Sequence, residues 1–196
     1  MIPLDLVLEN PYVRLRALQE SDVPNLLTFA EQEPELWRYS LMQIHGADDL
    51  QHYIRTALIG RAAGKEFPFI VWDKQQNAYA GSTRYYDIQY ANNMLQIGYT
   101  WFGNAFQGTR VNKSCKFLML QYAFETLDMQ RVEFRADERN LHSRQAMLSI
   151  GCTYEGTLRS HMPLADGARR NSVVLSILRE EWDTRVKQAL LNKLAL

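Results

Sequence analysis

Residues 94–125 carry the clearest chemical signal in the chain. Leu95, Ile97, Tyr99 and Trp101 alternate with Gln96, Gly98, Thr100 and Phe102, the two-residue period of a pleated strand. A polar turn follows from Gly103 to Thr109 and holds Asn104, Gln107 and Gly108. Val111, Cys115, Leu118, Leu120, Tyr122 and Phe124 then sit among helix formers, with no Gly or Pro for about four turns. A strand, a Gly-bearing turn and a helix start make an anion cradle. The first helical amides have no intrahelical partner, and the macrodipole adds positive character there. Arg110 and Lys113 place two cations at the same helix start, and a guanidinium pairs well with phosphate. The expected ligand therefore bears phosphate. The loop lacks the Gly-Lys-Ser/Thr ending of an NTPase phosphate loop, which argues against plain nucleotide binding.

Other residues are candidates for chemistry. Asn140 reads as a helix N-cap, and Ser143 lies one turn along the same face. His161 stands on an expected strand, with an ordinary pKa suited to proton transfer near neutral pH. Glu133 alternates with apolar residues on another strand, where a glutamate is ordinarily solvated. Cys115 and Cys152 have apolar neighbours and read as core. Neither the cysteines nor the scattered histidines have metal-ligand spacing, so no metal is expected.

These groups need a scaffold. Tyr12 to Leu18 alternates as a strand on a half-solvated sheet. Ser21 or Asp22 is expected to cap a helix through Val23, Leu26, Leu27 and Ala30, ended by Pro34. Asp48 or Asp49 is expected to cap the next, which buries Leu50, Tyr53, Ile54, Ala57 and Leu58 and closes at Gly60 and Gly64. Phe67 to Trp72 and Ala78 to Ile88 pair as antiparallel strands across a turn, and Tyr90 to Asn93 turns the chain into the strand described above. Arg131 to Ala136 is another strand, and the helix from Asn140 stops at Gly151. Cys152 to Met162 and Asn171 to Leu178 form a hairpin around Asp166-Gly167, and Glu180 to Leu194 is a helix. The order β-α-α-β-β-β-α-β-α-β-β-α implies an α/β fold with a mixed, mostly antiparallel central sheet of about seven strands and helices on both faces.

At 196 residues, with no repeat or linker, the chain is expected to be a single domain, 1–196. Lys+Arg and Asp+Glu number 22 each, so no global field draws it to nucleic acid or to a membrane. No stretch approaches the apolar length of a membrane span. The N-terminus has no charged start followed by an apolar core, so it is not read as a signal peptide. Unpaired cysteines suit a reducing compartment, and a cytoplasmic protein is expected.

The chain resembles the GCN5-related N-acetyltransferases (GNAT), in particular the branch containing the ribosomal-protein N-terminal acetyltransferases. The resemblance runs through VRLRAL…SDVPNLL, GSTRYYDI, LQIGYTWFG…FQGTRVNK, RVEFRADERNLHSRQAMLSIGCTYEG and LRSHMPLADGARRNSVVLSILREEW, and rests on their order and spacing. It implies transfer of an acetyl group from acetyl-CoA to a primary amine by direct attack in a ternary complex. The acceptor would be a protein N-terminus, an amino acid or a small amine. In the family the pyrophosphate lies on a loop of pattern Gln/Arg-x-x-Gly-x-Gly/Ala. Gln107 fits that pattern, Arg110 stands where Gly is common, and Asn112 stands where Gly or Ala is common. Arg110 either extends outward to a phosphate, the favoured reading, or fills the groove and weakens binding. By resemblance, Gln107, Gly108, Thr109, Arg110, Val111, Asn112 and Lys113 hold the pyrophosphate. Trp101 and Phe102, at the end of the central strand, adjoin the pantetheine. Asn140 and Ser143 flank the thiol, with Ser143 donating to the leaving thiolate. Gln96 stands where the family often has a Glu; an amide orients a water but accepts no proton. That leaves His161 as the base candidate, with Glu133 a third. Trp37, Tyr39 and Tyr86 are expected on the acceptor side, and the last strands and helix offer a homodimer surface. The alternative is a catalytically degenerate module that binds CoA or an acyl-CoA.

Overall fold

The structure, a computed structural model, describes residues 2–164 and 167–196. Its strands are β1 (Val7–Glu9), β2 (Val13–Ala17), β3 (Phe67–Asp73), β4 (Ala78–Gln89), β5 (Met94–Phe102), β6 (Arg131–Asp137), β7 (Thr153–Pro163) and β8 (Arg169–Leu178). They form one sheet in the order β1-β2-β3-β4-β5-β6-β8-β7. Every pairing is antiparallel except β5 with β6. The sheet is thus mixed and mostly antiparallel, with eight strands where about seven were expected from periodicity. The additional strand, β1, is three residues long, too short for alternation to register. Its hairpin is made by Asn10, whose Oδ1 accepts from the amides of Tyr12 at 2.9 Å and Val13 at 3.0 Å. Asn10→Ala leaves both amides without that acceptor and is expected to cost about 1–2 kcal/mol, read as a lowered urea midpoint at unchanged m-value.

Alternation along the strands sends two cores to opposite faces. Phe69, Val71, Ile97, Phe102, Val132, Phe134, Val173 and Leu175 belong to the larger core. That core packs under α3 (Val111–Gln121) and the C-terminal helix, which runs as α5 (Arg179–Glu181), a π turn (Trp182–Val186) and α6 (Lys187–Leu194). Ile70 and Trp101 point the other way, into a core closed by α1 (Val23–Gln32) and α2 (Ala47–Ala62). Helices on both faces follow from this alternation. The helix after β5 also ends in a π turn, Tyr122–Thr126. Phe124 from that turn stacks on Trp182 of the other, and the indole Nε1 donates to Glu125 at 2.9 Å.

Two expected caps do not form. Asp22 precedes α1, but its carboxylate is buried and takes both guanidinium nitrogens of Arg16, at 2.6 and 2.8 Å. Ser21 does not cap α1 either. Gly46 takes the N-cap position of α2 with φ +87°, so Asp48 and Asp49 fall in the first turn, and Asp49 accepts from the His45 amide at 2.8 Å. Asp and Glu stabilise that turn through the helix dipole, which gives sequence the same signature as a cap. Asn140 does cap α4 (Leu141–Ser149), with Oδ1 accepting from the Ser143 amide at 3.0 Å. Asp166, expected in the last hairpin turn, lies outside the described residues; Gly167 beside it has φ +82°. Among the described residues no helix is long and apolar enough to cross a membrane.

Candidate active site

The strands β5 and β6 start together and then part. Their parallel ladder covers only Met94, Leu95 and Gln96, opposite Arg131, Val132 and Glu133. Beyond it β5 stays with β4, β6 stays with β8, and among the described residues the facing edge of β5 from Ile97 onward has no strand partner. A helix follows each of the two strands, so the gap opens at their carboxyl ends between the N-termini of α3 and α4. Such a crevice is a usual ligand position in open α/β sheets. A bulge shapes the free edge. Gly98 faces Arg84 and Trp101 faces Ser82, so Tyr99 and Thr100 oppose Thr83 alone, and Tyr99 takes φ +47°. Gly98 is required beside it, because a Cβ there would sit 2.7 Å from the Tyr86 ring.

The turn into α3 is the cradle. Gly108 has φ +71°, and a Cβ added to it would meet nothing within 4 Å. Among the described residues the amides of Gly108, Thr109, Arg110, Asn112 and Lys113 make no hydrogen bond, while that of Val111 donates to Thr109 Oγ1 at 3.2 Å. Five partnerless amides on a turn at a helix start fit an anionic group such as a pyrophosphate. The Gln107 side chain braces the turn, its Nε2 donating to the Phe102 carbonyl at 3.0 Å. Val111 has a buried side chain, so only its backbone faces the loop. Arg110 is exposed: its guanidinium lies over the Tyr12 ring at 4.9 Å and donates to the Tyr12 hydroxyl at 3.0 Å.

The remaining candidates divide into framework and lining. The Trp101 indole is packed against Phe29 and Trp37 and donates to Tyr53 Oη at 3.4 Å; the Phe102 ring lies in the opposite core. Both can offer only backbone to a ligand in the gap. Trp37, expected on the acceptor side, is fully buried in the α1/α2 core, where its aromatic neighbours claim it. Tyr39 is half-buried beside Arg38. Ser143 is half-buried on the first turn of α4, and its hydroxyl makes no hydrogen bond among the described residues. Cys115 and Cys152 are buried and unpaired, and burial pushes both thiols up to about 12.

On the face that carries α1 and α2, register aligns Tyr86, Gln96, Glu133 and Ser176 across four strands. Gln96 is buried and donates from Nε2 to Asp87 Oδ2 at 2.8 Å. Glu133 is not the solvated strand glutamate expected: it is buried, with Arg131 at 2.8 Å and Arg135 at 2.6 Å on its two oxygens. The pairing of β6 with β5 and β8 made it interior, which alternation alone does not reveal. Arg135 Nη1 also contacts His161 Nε2 at 3.3 Å. An arginine only donates, so Nε2 is the acceptor and the neutral ring keeps its proton on Nδ1, which donates to Ser172 Oγ at 3.0 Å. Burial, then the charges of Arg135, Arg170 and Arg169, holds His161 below its ordinary 6.5.

Two buried cations beside the β4–β5 bulge escaped sequence reasoning. Arg84 is clamped between Tyr99, at 4.1 Å, and Tyr53, at 4.9 Å, and pairs with Glu66 at 2.7 Å. Lys116 projects from α3 to the bulge, where Nζ donates to Thr100 Oγ1 at 2.6 Å and Thr83 Oγ1 at 3.2 Å. Burial pulls its ammonium down to about 8, with no carboxylate partner among the described residues. Its signal was in the sequence: a lone cation between Cys115 and Phe117 in an otherwise apolar helix run. Among the described residues no group of His, Cys, Asp and Glu is arranged to hold a metal.

Comparison with known proteins accounts for this arrangement. The family described as acetyltransferase (GNAT) domain matches residues 13–153. A solved GCN5-related N-acetyltransferase from Brucella melitensis is 26% identical, with a TM-score of 0.89 over 98% of this chain and 86% of its own. The structure of a "putative acetyltransferase" from T. thermophilus is 30% identical, with a TM-score of 0.88 over 99% of this chain and 100% of its own. The "Putative ribosomal N-acetyltransferase YdaF" of Bacillus subtilis (strain 168) is 29% identical over 103 residues, 53% of this chain and 55% of that protein. The chain thus spans about half the length of this curated relative. A family match of that extent, on a sheet that superposes along nearly its whole length, decides the membership: this chain belongs to the GNAT acetyltransferases.

Proposed function

We propose that the chain transfers an acetyl group from acetyl-CoA to a primary amine by direct attack in a ternary complex. The observation that carries this reading is the cradle: five partnerless amides beside the opening between β5 and β6. Acetyl-CoA supplies the activated acetyl group. Backbone amides from Gly108 to Lys113 hold its pyrophosphate, and the free edge of β5 near Trp101 runs beside the pantetheine. Asn140, through its cap, fixes the first turn of α4, so that the Ser143 hydroxyl is free to donate to the departing sulfur. The bulge at Tyr99 and Thr100 aims backbone donors at the carbonyl oxygen, where negative charge gathers. His161, held neutral, takes the amine proton through water on Nε2, which must first release Arg135. The name of YdaF points to ribosomal proteins as acceptors, and the reading includes a protein N-terminus among the amines.

Three observations favour the second reading, binding without transfer. Gln96 accepts no proton, both Glu133 oxygens are taken by arginines, and His161 Nε2 is engaged by Arg135. Calorimetric titration with acetyl-CoA, followed by a thiol-release assay with a panel of primary amines, separates the two. Binding with turnover supports the transferase; binding with no turnover on any amine supports the module; absence of binding sinks both. Arg110→Glu is expected to weaken acetyl-CoA roughly three- to tenfold, the scale of an exposed ion pair lost and a repulsion added. An unchanged affinity would leave Arg110 as a partner of Tyr12 alone.

A further inference from the structure

Three basic side chains are buried among the described residues: Arg84, Lys116 and Arg170. Arg84 has Glu66. Lys116 has two threonine hydroxyls and is able to lose its proton. Arg170 has neither remedy. It is 9% exposed, no carboxylate among the described residues lies within ion-pair distance, and a guanidinium stays charged. Its Nε donates to Ser172 Oγ at 2.9 Å, while Nη1 and Nη2 make no hydrogen bond and are not sealed from solvent. The neighbouring carboxylate, Asp137, is already taken by the backbone, Nε and Nη2 of Arg139 at 2.8–2.9 Å.

The position of this side chain is specific. Arg170 stands on β8 at the end of the chain of contacts Glu133–Arg135–His161–Ser172–Arg170. Its largest charge interaction is with Asp137, which lies beyond ion-pair distance, followed by Tyr86 and Tyr99, whose rings meet edge to face at 5.2 Å beside the bulge. By alternation along β8 this is the face of Ser172 and Ser176, the one that carries α1 and α2. A charged fork with two idle donors, held in place by Ser172, matches one group best: a carboxylate, which takes both nitrogens of a guanidinium. A largely buried charge with no direct carboxylate partner among the described residues carries a desolvation cost in the free protein, and an arriving anion offsets part of it.

We infer that the acceptor amine carries a carboxylate, and that Arg170 docks it beside Tyr86 and Tyr99. The inference rests on the acetyl-transfer reading. The carboxylate has two sources, the α-carboxyl of a free amino acid or an acidic side chain next to a peptide N-terminus.

Paired probes test it and separate the sources. Turnover is compared for glycine against glycinamide, and for Ser-Asp-Gly-amide against Ser-Asn-Gly-amide, in wild type, Arg170→Gln and Arg170→Lys. In at least one pair the acid is expected to exceed its neutral partner at least tenfold in kcat/KM. The ratio should fall to near one in Arg170→Gln and to an intermediate value in Arg170→Lys, which keeps the charge and loses the fork. Equal use of acid and neutral partner in both pairs, or a ratio preserved in both variants, overturns the inference. A second measurement needs no turnover: the N-acetylated forms of the same four compounds are titrated calorimetrically into CoA-loaded protein. An acid bound at least tenfold more tightly than its neutral partner in wild type, but not in Arg170→Gln, supports the anchor even where no amine is acetylated, and then only the transferase reading fails. Equal binding within both pairs, or none, overturns the anchor. Should Arg170→Gln fail to fold, the wild-type ratios and Arg170→Lys still decide.

Discussion

Gly108→Val is expected to weaken acetyl-CoA binding on the order of a hundredfold, the sum of about two charge-assisted hydrogen bonds lost. The loss does not come from a clash within the protein, since a Cβ at this position meets nothing within 4 Å. It comes from the backbone. Gly108 has φ +71°, a region that costs an ordinary L-residue about 1–2 kcal/mol and a β-branched one more. Valine relaxes by rotating the chain away, and the amides of Gly108 and Thr109 then no longer converge. The branched side chain also enters the space left for the ligand. Asn tolerates the left-handed region, so Gly108→Asn should retain most of the affinity. Calorimetric titration of the three proteins, with thermal melts to show that each is folded, reads the effect. Wild-type affinity in the valine variant would mean that the pyrophosphate is held elsewhere.

Lys116→Met is expected to move stability and activity in opposite directions. The ammonium is buried with only hydroxyl partners, and methionine fills nearly the same volume with no charge to desolvate. Thr83 and Thr100 keep each other at 2.7 Å after the change. Stability at pH 7 should therefore rise by about 1 kcal/mol or more. In the proposed mechanism Lys116 ties α3 to the bulge that aims the β5 donors, so activity should fall roughly ten- to hundredfold in kcat, the scale of a misplaced oxyanion donor. The pH dependence gives an independent reading. The folded pKa, about 8, is below the ordinary 10.5, so the unfolded chain binds more protons between these values and stability rises with pH across that window. The buried thiols of Cys115 and Cys152 act the other way above pH 9, since their pKa values are raised from 9.0 to about 12. The comparison is thus made between wild type and Lys116→Met at each pH. The variant's advantage should shrink steadily from pH 8 to 10. A constant advantage, or a variant less stable at pH 7 with full activity, would refute this account.

Much of the fold was legible along the chain because local patterns carry it. Alternation in Leu95–Trp101 and Val132–Ala136, and the helix-forming run after Val111, were each visible within one segment. The Asn140 cap was legible for the same reason, as its bond to Ser143 closes within three residues. Asp22 misled for the converse reason: its carboxylate is spent on Arg16 of the adjoining strand.

The sequence by itself determined the element order from β2 onward and the family, and it showed the contiguous strand, Gly turn and helix start that make the proposed anion cradle. Only the tertiary structure decided which side chains are left to act. It withdrew Trp37, Trp101 and Phe102 into the cores, closed Glu133 between two arginines, and laid Arg110 on Tyr12 from nearly a hundred positions away. It also left Arg170 buried with no ion pair among the described residues. The physical reason is one of range. Backbone periodicity and capping are settled between near neighbours, whereas burial and charge pairing depend on strands and helices that the fold brings together from distant parts of the chain.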